Sequence, residues 1–136
     1  AVMAFRLLDR MGMDPAEIAM VISAIGNHDE STAAAVNPIA AALILADKTD
    51  VRRTRVRNRD KATFDIHDRV NYAVEKASTT LDAAGKAVVL DLQLDTGMSP
   101  VIDYFEIFLE RMLLCRKAAE KLGLSFRLVV NGQTVL

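Results

Sequence analysis

Residues 37–55 decide how the rest of the chain is arranged, and they read NPIAAALILADKTDVRRTR. Asn37 is a typical helix N-cap residue, and proline suits the first position of a helix. A helix is therefore predicted from Pro38 to about Arg53. It carries one acidic residue, Asp47, near its end, and it leads into a run of arginines.

Two helices are predicted before this stretch. Residues 2–11 repeat apolar side chains at helical spacing. Asp14-Pro15 opens the second helix with the same cap-and-proline device, and Gly26 ends it. A polar loop over 28–32 then connects this helix to Asn37.

The chain after residue 54 predicts a mixture of strands and helices. A short helical turn is expected near residues 65–68. Residues 71–81 fit both a strand and a helix, and the strand is preferred because residues 82–86 resemble a hairpin loop. Residues 87–95 alternate as a strand does.

The C-terminal third predicts a long helix and a hairpin. The helix covers residues 100–121, and its apolar stripe consists of Ile102, Phe105, Phe108, Leu109, Met112 and Cys115. A strand follows over 126–130, and Asn131-Gly132 is a typical hairpin turn. The predicted fold class is α+β: a helical part, residues 1–60, and a subdomain, residues 61–136, in which one long helix covers a small antiparallel sheet.

Composition limits the class of protein. The chain has 136 residues, of which 51% are hydrophobic, so a packed core is expected. The net charge of −1 argues against a general affinity for nucleic acid. The single cysteine, Cys115, fits a reducing, cytoplasmic compartment. Neither a membrane span nor a signal peptide before Ala1 is expected. A start without Met suggests a piece of a longer protein.

Asp47 is the first candidate for chemistry. It follows Ile39 and Leu43 at intervals of four residues, so all three share one stripe, which is expected to face the core. A buried carboxylate is normally paired, protonated or bound to metal. The alternative to a functional role is an ion pair with an arginine such as Arg6.

His28 and Asp29 form the second candidate, because imidazole and carboxylate can bind metals or exchange protons. The alternative is that His28 only interacts with the end of the preceding helix. His67, the other histidine, lies in a polar segment and is a minor candidate.

The third candidate is a basic segment. From Lys48 to Lys61 the chain has seven lysines or arginines and two acids. Arginine binds phosphate oxygens through paired hydrogen bonds, so Arg52 and Arg53 are candidate phosphate ligands. The alternative is a solvated surface. Nucleic-acid binding ranks last, since no aromatic residues are interleaved with this charge.

Two segments together resemble a known family. Ala24-Ile25-x-x-His28, followed by Leu45-Ala46-Asp47-Lys48-x-Asp50-x-x-Arg53, is similar to the second half of an HD-domain metal-dependent phosphohydrolase. The resemblance covers about residues 1–58, and it implies an all-helical fold there. The remaining α+β part resembles an extension found on some bacterial HD proteins.

The resemblance also implies roles for individual residues. Asp47 would bind a divalent metal (Mn, Mg, Fe, Ni or Zn), and His28 and Asp29 would lie beside it as a further ligand or as acid and base. Lys48, Arg52 and Arg53 would contact phosphate. The substrate would be a phosphorylated small molecule, in that family commonly a nucleotide.

The family's first histidine and its His-Asp pair have no counterpart in these 136 residues. Only 17 residues separate Asp29 from Asp47, so His28-Asp29 is not interpreted as that pair. The complete enzyme would need ligands from an upstream segment. The alternative is a non-catalytic regulatory or dimerisation module, which would form a homodimer through an edge strand at residues 133–136.

Overall fold

A computed structural model describes residues 1–29 and 33–136, which form helices and one mixed sheet. The helices are α1 (Val2–Arg10), α2 (Pro15–Gly26), α3 (Pro38–Lys48), α4 (Ile66–Ala73) and α5 (Val101–Lys121). The strands are β1 (Val74–Asp82), β2 (Ala87–Leu94), β3 (Ser125–Val130) and β4 (Gln133–Thr134). Short 3-10 turns occupy Arg53–Arg55 and Lys61–Thr63. Residues 30–32 of the predicted polar loop lie outside the described residues.

Side-chain caps fix where three helices begin. The Asp14 carboxylate accepts hydrogen bonds from the backbone of Ala16 and Glu17 at the start of α2. Asn37 accepts one from Ala40 N, at 2.8 Å, at the start of α3. Asp65 has the same role for α4. The cap predictions for α2 and α3 are confirmed, because these bonds satisfy amides that have no partner within the helix.

Helix α3 is shorter than predicted. It ends at Lys48, and the prediction that it continues to Arg53 is wrong. Thr49 turns its hydroxyl back onto the Leu45 carbonyl, at 2.7 Å. The chain is then extended at Arg52, and Arg53–Arg55 form a separate 3-10 turn.

Residues 71–81 divide between a helix and a strand. α4 extends to Ala73, so a strand over the first three of these residues is wrong, whereas β1 from Val74 confirms the rest. The hairpin between β1 and β2 is confirmed. The turn at Asn131-Gly132 is also confirmed, and both residues have positive φ, 51° and 80°.

The sheet has the order β1-β2-β3-β4. The two outer pairs are antiparallel, as predicted, but β2 and β3 are parallel, so a purely antiparallel sheet is wrong. α5 causes this difference. It returns the chain across the sheet, so β3 starts at the same end as β2, with Ala87 opposite Ser125.

One hydrophobic core joins α3, α5 and the sheet. Its members include Ile44 from α3, Met112 from α5 and Leu90 from β2, all fully buried. The buried residues of α5 differ from the predicted stripe, because Tyr104 is buried whereas Ile102 and Leu109 are exposed. The division into residues 1–60 and 61–136 stays a prediction, although residues on both sides contribute to this core.

Candidate functional site

Asp47 lies at the edge of the α3 interface. The buried face of α3 consists of Ala40, Ala41, Ile44, Leu45 and Lys48. The predicted core-facing stripe is therefore wrong by about one residue. Ile39 is exposed, and the Asp47 side chain keeps 38% of its surface accessible. A carboxylate in this position can reach both the protein interior and solvent.

Lys48 is the buried partner of Asp47. Its side chain is only 8% exposed, and its Nζ lies 2.7 Å from Asp47 Oδ2. The ion pair that was considered as an alternative exists, but its basic member is Lys48 and not Arg6. A buried ammonium is stabilised mainly by such a partner, since losing hydration costs several kcal/mol.

The charges around Asp47 decide its protonation state. Burial alone would raise the pKa of this carboxyl, but the hydrogen bond and charge of Lys48, with the charges of His28 and Arg55, outweigh burial. The net result is a pKa below the ordinary value of 3.8. Asp47 is therefore an anion at neutral pH.

His28, at the end of α2, lies close enough to Asp47 for its charge to lower the pKa of that carboxyl, although the two residues are far apart in sequence. Its Nδ1 lies 2.7 Å from the Ile25 carbonyl oxygen, which can only accept, so Nδ1 donates. Neutral His28 then keeps the lone pair on Nε2, where it can accept a proton or bind a ligand. The same bond places His28 at a helix end, as the alternative interpretation expects.

Asp29 is exposed and adjoins the gap at residues 30–32. No hydrogen bond or ion pair links it to another residue within the described ranges. Its assignment as a catalytic residue therefore stays a prediction.

Two arginines converge on a second carboxylate, Asp50. Arg52 Nε lies 2.9 Å from one oxygen, and Arg55 NH1 lies 2.7 Å from the other. Arg52, a predicted phosphate ligand, is thus paired with Asp50. Arg55, which belongs to the predicted basic segment but is not among the predicted phosphate ligands, also lowers the pKa of Asp47. Asp50, placed between Lys48 and the arginines, is the sequence feature that indicates this arrangement.

Arg53 has a structural environment. Its Nε donates to the Tyr72 carbonyl at 2.7 Å, its NH2 lies 3.6 Å from Glu75 Oε1, and its guanidinium covers the Tyr72 ring. Lys61 stacks on the same ring, with Nζ 4.6 Å from the centroid. These contacts hold the 3-10 turn against α4, and they direct Arg53 toward α4 and β1.

The α3–α5 contact brings Cys115 near the charged pair. Burial raises the pKa of this thiol to about 12, and the Lys48 charge opposes that shift only partly. Cys115 is fully buried, so it is a packing residue and not a nucleophile.

A groove of about 470 Å³ opens next to this region. Its walls are Ala46, Thr49, Asp50, Arg52, Ala77 and Thr79. It is thus bounded by the end of α3 and by β1, and neither His28 nor Asp47 lines it. Asp50 and Arg52 line it, however, so the groove adjoins the charged cluster beside Asp47.

The described residues contain no group of three His, Cys, Asp or Glu side chains that could hold a metal ion. His28 and Asp47 provide two donors of suitable type, and Lys48 occupies one oxygen of Asp47. A metal site built from these ranges alone is therefore incomplete.

No protein-family model, curated protein or solved structure matches the chain. Within residues 1–29 and 33–136, no helix combines the length and the apolar character needed to cross a membrane.

Proposed function

We propose that the chain provides part of the active site of a metal-dependent phosphohydrolase of the HD type. The observation that carries this proposal is the packing of α2 against α3, which brings His28 close enough to the Asp47–Lys48 pair for its charge to lower the pKa of Asp47. The spacing of these residues is also what supports the resemblance to the family. The substrate would be a phosphate ester, and a nucleotide is the class that the resemblance favours.

Each residue has a role that follows from its chemistry. Asp47, an anion at neutral pH, suits a cation ligand. His28 Nε2 suits proton transfer or ligation, since its other nitrogen is engaged by Ile25. Arg52 and Arg55 are largely exposed and provide positive charge for phosphate oxygens. Lys48 is buried against Asp47, so its proposed contact with phosphate requires that it turn outward from this pair. Arg53 is the weakest of the proposed phosphate ligands, because its guanidinium already serves Tyr72 and Glu75.

The metal implied by the resemblance needs more donors than these two side chains. Such donors would come from outside the described residues. The proposal therefore concerns what this chain contributes, namely an ionised carboxylate, an oriented imidazole and a cationic border.

Activity can be measured as phosphate release from a panel of nucleotides and simple phosphate esters, in the presence of Mn²⁺, Mg²⁺, Fe²⁺, Ni²⁺ or Zn²⁺. We expect Asp47→Ala and His28→Ala to abolish metal-dependent release, and Asp47→Ala to lower the bound metal content. His67→Ala is the matched control, since His67 is an exposed histidine on α4. The proposal fails if the complete protein without substitutions releases no phosphate with any metal, and if Asp47→Ala has the same metal content as that protein.

A non-catalytic regulatory or dimerisation module is the second candidate. The incomplete donor set within the described ranges favours it. The same assay separates the two functions: a module would bind no metal in stoichiometric amount, and it would release no phosphate.

A further inference from the structure

Strand β1 leaves a long edge of the sheet open. It spans nine residues, Val74–Asp82, and among the strands of the described residues it pairs only with β2. The opposite edge strand, β4, has only two residues, so residues 133–136 offer much less edge than the sequence predicted. An open strand edge presents unpaired amides and carbonyls that another strand can bind.

The helix-facing side of β1 also carries an apolar side chain in water. Ala77, Thr79 and Leu81 lie opposite core residues of β2, so they point to the face that α5 covers. Cover does not reach the end of β1, however, because Leu81 is 70% exposed.

A groove that could accept such a side chain lies on the same face of β1. The groove of about 470 Å³ is lined by Ala77 and Thr79, with Ala46 and Thr49 of α3 on its other side. Asp50 and Arg52 complete the lining. The other four lining side chains are small, so the groove has room between α3 and β1 for an apolar side chain from outside. Leu81 and the groove lie at different points along β1, so one copy cannot fill its own groove with its own leucine.

We propose that two copies of this chain pair through β1, antiparallel and centred on Thr79, to form one continuous eight-stranded sheet. In this register Leu81 lies opposite the partner's Ala77 and enters the groove beside it. The interface does not require the proposed phosphohydrolase activity, although Arg52, a proposed phosphate ligand, also lines the groove that Leu81 enters.

Charge favours the same register. With Thr79 opposite its own copy, Lys76 lies opposite the partner's Asp82 on the face away from α5, and opposite charges across strands stabilise a sheet. Lys76 makes no ion pair with another described residue. Asp82 Oδ2 lies 3.3 Å from Arg127 NH1 of the same copy.

Other registers lack both matches. The two copies are related by a twofold axis perpendicular to the sheet, so their helix-covered faces lie on the same side of the joined sheet. Because side chains alternate between the two faces, the residue opposite a given position can change only in steps of two. The nearest alternatives place Asp82 opposite Val74 or Ser78, which removes the charge pair. They also move Leu81 away from Ala77.

The first test compares two glutamate variants by light scattering and sedimentation equilibrium across a range of protein concentrations. Leu81→Glu should raise the dimer dissociation constant about tenfold or more, because it removes a buried apolar side chain from the interface. Ile102→Glu is the matched control, since Ile102 is also 70% exposed but lies on α5. Circular dichroism establishes that both variants remain folded.

The second test fixes the register by single cysteines at Ser78, Thr79 and Thr80 under mild oxidation. Directly opposed residues of an antiparallel pair have Cα atoms about 4.5–5.5 Å apart, which a disulfide can bridge. Thr79→Cys should therefore cross-link fastest, and the buried Cys115 does not compete. A monomer at all concentrations, equal effects of the two glutamate variants, or fastest cross-linking at Ser78 or Thr80 would each overturn the proposal.

Discussion

At the scale of single residues, Lys48 is the only charged residue that is buried in the described part of the chain. It neighbours Asp47 in sequence and still pairs with it, since the aspartate lies at the rim of the interface while the lysine points inward. The acid thus provides a countercharge at the surface for an ammonium in the interior.

Asp47→Asn should lower the free energy of unfolding by about 1 kcal/mol at neutral pH, because it removes the charge opposite Lys48, and solvent screening limits the effect. The folded pKa of Asp47 is lowered, so its contribution is present above the ordinary value of 3.8 and is lost as the pH falls through the folded pKa. Urea unfolding at neutral and acidic pH measures this difference. Asp91→Asn, at an exposed position without an ion pair to a described residue, is the control. An equal loss at both pH values would contradict the prediction.

Cys115 should react with a thiol reagent only when the protein opens. Burial raises the pKa of its thiol to about 12, so almost no thiolate exists at neutral pH, and the side chain is fully buried. We expect very slow labelling of the native protein and rapid labelling in urea. Because the chain has one cysteine, mass spectrometry after timed labelling measures this directly. Labelling of the native protein at the rate of a free thiol would show that the α3–α5 interface is open.

At the scale of elements, Asn37 sets the start of the helix that ends in the Asp47 site. Asn37→Ala should destabilise the protein by about 1 kcal/mol, because Ala40 N loses its acceptor. Asn37→Ser keeps a capping oxygen and should cost much less. Thermal unfolding of the three proteins measures the order. If serine and alanine were equally destabilising, capping would not be the reason.

The beginnings of α2 and α3 could be predicted from sequence because capping is local chemistry: Asp14 and Asn37 bond to amides two or three residues away. The side of α3 that faces the core could not be predicted from sequence. Its contact with the core uses Ala40 and Ala41, whereas sequence patterns give most weight to large apolar residues such as Ile39 and Leu43. The direction of β3 relative to β2 could not be predicted either. The alternation of apolar and polar residues within a strand does not show whether the neighbouring strand is parallel or antiparallel.

The candidate site was predictable in part for the same reason. Asp47 and Lys48 belong to one short motif, so their proximity follows from sequence. The approach of Arg55 depends on the end of α3 at Lys48 and on the turn after it, which the sequence interpretation missed by continuing the helix to Arg53.

At the scale of the whole molecule, the shared core predicts one unfolding event. Ile44→Ala in α3 and Leu90→Ala in β2 should each lower the free energy of unfolding by about 3 kcal/mol, because each leaves a cavity in the same cluster. Both substitutions should lower the midpoint of a single unfolding transition. Circular dichroism and the fluorescence of an attached label should give the same midpoint. Two separate transitions, each sensitive to one variant, would instead support units divided near residue 60.

The parallel pairing of β2 with β3 has a consequence for how the chain reaches its native state. β1 and β2 are adjacent in sequence and can join as soon as their short turn forms. β3 must wait until the 21 residues of α5 have been placed, since its partner lies on the far side of that crossover. Closing so long a loop lowers the conformational entropy of the chain before the β2–β3 contacts form, which slows folding. The centre of the finished sheet is thus expected to assemble last, after the edge hairpin and the helix that spans it.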